Sequence, residues 1–135
     1  ELLPTGSTTL AREEIANSLD QMGEHQTSKA WATYGKGSVR IELIDFAGAK
    51  KKIEEGYWWT TRNVDQKLKD GYEKTGVIQQ WYKTYERQNT QKNTVQLLVN
   101  AGERFIVSAE GTGVEMSQVK ELVEQISFKT LANLK

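Results

Sequence analysis

Between Ser28 and Glu110 most apolar residues recur at every second position, the period of a β-strand, and this alternation confines the chain to a sheet-based fold. Lys29–Tyr34 and Val39–Phe46 read as strands joined by a Gly35-Lys36-Gly37 turn. Val77–Arg87, Val95–Asn100 and Arg104–Glu110 read as a meander, with polar turns at 88–93 and 101–103. Asp70-Gly71 marks a further turn, and Tyr72–Thr75 starts another strand. Tyr57–Thr61 reads as extended and Asn63–Lys69 as a charged link.

A sheet with one solvated face alternates strictly between apolar and polar residues. Here Val39, Ile41 and Leu43 define one face, yet the opposite face still carries Ile44, Ile78, Tyr82, Leu98 and Ile106. Both faces therefore need cover, and helical stripes are available to provide it. Met116, Val119, Leu122, Val123 and Ile126 share one side of a helix. Phe46, Ala49, Ile53 and Tyr57 share one side of another, with Asp45 as its cap and Gly56 at its end. Leu10, Ile15, Leu19 and Met22 form a less regular stripe, with Thr8 or Thr9 as cap and Gly23 beyond it; an irregular extended segment competes with that helix. Residues 1–9 hold the only proline, Pro4, and read as a leader loop, while Leu131 and Leu134 suggest that the tail docks. The expected fold is α+β, a single domain over residues 1–135, with an antiparallel β-sheet flanked by helices on both faces.

Charge and residue types exclude several chemistries. The 18 Lys and Arg balance the 18 Asp and Glu, so the basic surplus of a dedicated nucleic-acid binder is missing. No apolar run approaches the ~20 residues of a membrane-spanning helix. With no Cys and one His, the usual zinc ligand sets are out of reach, and no cofactor is expected. His25 sits in a Gly-Glu-His-Gln-Thr stretch that reads as a surface loop. Gly111-Thr112-Gly113 opens a helix as a dinucleotide-binding loop does, but Met116 stands at the third glycine's place and no later strand completes a βαβ unit; a tight turn is the better reading. Lys50-Lys51-Lys52 shares its helix with Glu54-Glu55 and pairs locally. Adjacent carboxylates such as Glu13-Glu14 point about 100° apart on a helix and do not converge on a substrate. No nucleophile-elbow or phosphate-loop pattern occurs.

The aromatic residues from Tyr57 to Tyr85 are the remaining signal. Aromatics favour strands and cores, and an exposed one offers a stacking or docking anchor. Gly56 stops the preceding helix, Tyr57 continues its apolar side, and an extended backbone then turns Trp59 inward with Tyr57 and Trp58 outward. Trp58 and Tyr82 are the candidate ligand-binding residues.

The segment Arg40–Gly48, RIELIDFAG, resembles a strand-to-helix junction in a group of uncharacterised bacterial envelope proteins, many of them lipoproteins. The likeness continues through Asp70–Lys74 and Glu103–Met116, ERFIVSAEGTGVEM, and the element order looks like the Mog1/PsbP-like α/β/α sandwich. The resemblance implies a non-enzymatic protein outside the cytoplasm, in the periplasm or on the outer membrane, and carries over no catalytic residue. In that reading a segment upstream of Glu1 ends in a lipidated Cys, which is the chain's only link to a membrane. The partner expected is a protein or a small ligand, not nucleic acid. A small hydrolase with convergent carboxylates and a cytosolic adaptor are the alternatives.

Metal analysis of untagged protein is expected to find no stoichiometric zinc or iron, since only carboxylates and one imidazole are on offer and these suit weak Ca²⁺ or Mg²⁺ at most. Stoichiometric transition metal would contradict the reading.

Overall fold

The computed structural model describes residues 3–7, 10–22, 25–46, 50–102 and 104–133, leaving aside the side chains at 17–22, 25–27 and 50–51. Its centre is one eight-stranded sheet in which every neighbouring pair is antiparallel, in the order β1-β2-β3-β8-β7-β6-β5-β4. The strands are β1 Arg12–Met22, β2 His25–Tyr34, β3 Val39–Asp45, β4 Asp65–Leu68, β5 Gly71–Ile78, β6 Tyr82–Asn89, β7 Thr94–Ala101 and β8 Phe105–Thr112. Three short helices accompany them: α1 Lys50–Gly56, α2 Met116–Val123 and α3 Phe128–Ala132. A 3-10 turn spans Trp58–Thr60. Among the described residues no helix is long and apolar enough to cross a membrane.

Two meanders build the sheet. β1–β3 run side by side, the chain then crosses to the far edge, and β4–β8 return until β8 pairs with β3. One face, the helical face, carries the larger core. There Val39, Ile41, Leu97, Val99 and Val107 of the central strands are closed over by Val119, Leu122 and Val123 of α2 and by Phe128 and Leu131 of α3.

The α2 stripe forms a helix because its apolar residues recur at helical spacing and its start is capped reciprocally by Glu115 and Gln118. Gly111 lets it approach: a Cβ there would stand 2.5 Å from Val114 and 3.2 Å from Val119. Ser127 caps α3 by accepting from the Thr130 N–H at 3.3 Å. The N-terminal segment joins this core through Leu3 and Leu10, with the Tyr34 hydroxyl donating to the Pro4 carbonyl at 2.7 Å.

The opposite face, here the crossover face, holds a smaller core of Ile44, Leu98, Ile106 and Tyr85 under Phe46, Ile53 and Trp59. Beyond that core the face is mixed: Arg40 lies over the Trp31 ring at 4.9 Å and pairs with Glu42 at 2.8 Å, and Gln96 donates to Glu110 at 3.2 Å.

The expected sheet with helices on both faces, and with it the Mog1/PsbP-like sandwich, is therefore corrected to a sheet-dominated fold with only short helices. Two local features account for the difference. The stripe from Leu10 to Met22 is not a helix: β1 pairs with β2 along its length, because Asn17, Ser18 and Asp20 are weak helix formers and β2 has a long row of backbone groups to satisfy. Val77–Arg87 is not one strand: Gln79, Gln80 and Trp81 form a turn between β5 and β6, which puts Ile78 and Tyr82 on the helical face. The second face then has less apolar surface to cover. The Asp45 carboxylate takes a two-point grip from the Arg104 guanidinium, both contacts at 2.8 Å, and the helix start it is expected to cap lies outside the described residues. Thr8, Thr9, Gly23, Ala49 and Leu134, given roles above, lie outside the described residues, as does the side chain of His25, whose backbone begins β2 rather than a loop.

Val123 is fully buried, so Val123→Ala is expected to lower stability by about 1–3 kcal/mol in a denaturant titration. An unchanged unfolding midpoint would contradict its place in the core.

Candidate functional site

The site is built where the β4 ladder stops. Beyond β4 the pairing lasts one more residue: the Thr75 N–H donates to the Val64 carbonyl at 2.8 Å, and the Val64 N–H turns to the Thr75 hydroxyl at 3.1 Å. The hydroxyl takes the place of a backbone carbonyl, and the ladder ends. In an antiparallel strand alternate residues point both backbone groups to the same side. Val77 therefore points its N–H and C=O outward, in phase with Thr75, and no partner meets them among the described residues.

The β5–β6 turn holds this edge in place. Gln79 and Gln80 have φ of 50° and 67°, a conformation that favours Gly, Asn or Asp. The Gln79 side chain offsets that strain by bridging the α2–α3 link: its amide donates to the Ile126 carbonyl at 2.7 Å and accepts from the Phe128 N–H at 3.4 Å. Trp81 follows with 82% of its surface exposed, beside Val77 at 63%.

A cleft lies on each side of the open edge. On the crossover face a shallow one of about 530 Å³ is lined by Val64, Val77, Trp81 and Lys83. On the helical face a groove of about 310 Å³ is lined by Gly76, Thr84, Glu86, Lys120 and Glu124. Thr75, Gly76 and Val77 border both. In the groove the buried Glu86 carboxylate accepts from the Tyr72 hydroxyl at 2.6 Å and pairs with the Lys120 ammonium at 2.9 Å. Both oxygens are thus engaged, one tying β6 to β5 and the other tying α2 to the sheet. Among the described residues no cluster of three or more His, Asp or Glu is placed to hold a metal ion.

Trp58 and Tyr82, the residues singled out above, are not brought together. Trp58 is 45% exposed and stands edge-on to Tyr85, 5.6 Å between ring centres, on the crossover face. Trp59 is buried, so the inward and outward assignment holds, on a 3-10 turn rather than an extended segment. Tyr82 packs on the helical face against Phe128, 5.7 Å between ring centres. Sequence reasoning misses Trp81 because a continuous strand through 77–87 hides the turn that exposes it; the two apolar phases within that stretch are the available signal.

Burial, then its hydrogen bond to Glu73, pushes the Tyr85 phenol up to about 12, and burial with the Glu86 bond raises Tyr72 as well. Both exceed the value near 10 of an unfolded chain. Their contribution to stability is therefore complete below about pH 10 and is lost as pH rises toward 12. A Tyr72→Phe, Tyr85→Phe double variant is expected to show a shallower decline of melting temperature over that range. A decline as steep as the parent's would contradict the assignment.

Comparison with family models, with curated proteins and with solved structures finds no match for this chain.

Proposed function

We propose that this chain is a non-enzymatic binding domain that docks a protein partner at the surface formed by Trp58, Lys83 and Trp81. The observation that supports it best is Trp81, exposed over 82% of its surface at the tip of a turn that is fastened to the helices behind it. A large aromatic held open on a rigid support is a favourable anchor, since Trp is enriched among residues that dominate binding energy. Lys83 lies between the two tryptophans on β6, its ammonium donating to the Arg62 carbonyl at 2.7 Å. The bacterial envelope location suggested by the resemblance of Arg40–Gly48 is part of this proposal, and fractionation of cells producing the full-length protein tests it: recovery in the cytosol would remove it.

A photoreactive benzophenone residue at position 81 is expected to crosslink one discrete partner in such cells, and the same residue at position 40, outside the proposed surface, is not. Equal crosslinking at both positions, or none at 81, would contradict the reading. Trp81→Ala is expected to change stability by less than about 0.5 kcal/mol and to weaken the partner's binding at least about tenfold.

A further inference from the structure

We infer that the outer edge of β5 accepts an extended strand from the partner, with an apolar residue opposite Val77. The inference rests on the docking surface proposed above and specifies how it is used. Three observations carry it. The outward backbone groups of Val77 have no partner among the described residues, and an added strand supplies one. The exposed stretch carries Gly76 and Val77, whereas β4, the outermost strand, is guarded by Asp65, Gln66 and Lys67. The two clefts border the same three residues from opposite faces, which matches the alternating side chains of a strand.

The lining of the cleft selects the residue type. A side chain opposite Val77 enters the cleft beside Trp81 and Val64, which favours an apolar group. Its neighbour enters the groove. There Lys120 is paired with Glu86, and the Lys74 ammonium lies over the Tyr72 ring at 5.6 Å. The Glu124 carboxylate and the Lys74 ammonium are both left without an ion-pair partner among the described residues, so the groove is balanced in charge and admits a polar side chain of either sign.

The test uses a Thr-Lys-Val-Lys-Thr peptide, read by the Val77 amide and Trp81 indole signals in nuclear magnetic resonance spectra. Both signals are expected to shift. Methylating the peptide's valine nitrogen, or replacing that valine by aspartate, is expected to weaken binding at least about tenfold. If the methylated peptide binds as well while Trp81 still responds, strand addition is overturned and the docking surface stands. If neither signal responds to any peptide, strand addition is overturned, and crosslinking at position 81 decides the docking surface independently. A concentration-dependent dimer that loses its contact on Val77→Pro would show a second copy at this edge and would overturn the inference.

Discussion

The pairing of β3 with β8 makes one sheet of two halves. β1–β3 and β4–β8 are each local meanders, joined by the seven residue pairs from Val39↔Gly111 to Asp45↔Phe105 and, beyond each end, by the Thr112 N–H donating to the Ser38 carbonyl and the Phe46 N–H donating to the Arg104 carbonyl, both at 2.8 Å. The join closes a long loop, so its entropic cost is offset only when the packing around it forms as well. Ile41 and Val107 at the seam lie under the helices, while Ile44 and Ile106 lie under the crossover. The Arg104–Asp45 grip closes one end of the seam.

The seam also dictates where the open edge falls. Because β8 takes the place beside β3, the chain must leave β3 across the sheet and begin its second meander at the far edge. That crossing lays Ile53 and Trp59 on the sheet and brings Trp58 over Tyr85. It arrives at the edge only at Val64, too late to pair with the end of β5. The unpaired backbone at Val77 is thus a consequence of the route the chain takes.

The sequence made α2 legible, because five apolar residues at helical spacing leave few other readings. The strands around Val39–Phe46, Val95–Asn100 and Arg104–Glu110 were legible from their alternation. β1 was not, since its sparse apolar residues fit neither period and its form is decided by β2. The turn at Gln79-Gln80 was hidden because it lacks Gly, Asn and Asp, and its support comes from a side-chain contact 47 residues away at Ile126. That one missed turn displaced Ile78 and Tyr82 to the wrong face and concealed Trp81, so the candidate site was only partly readable.

Amide hydrogen exchange at β5 tests the central claim, an open edge at Val77, most directly. The Val77 N–H is predicted to exchange much faster than those of Gly76 and Ile78, which point toward β6. Protection of Val77 equal to theirs would contradict the open edge and the function built on it.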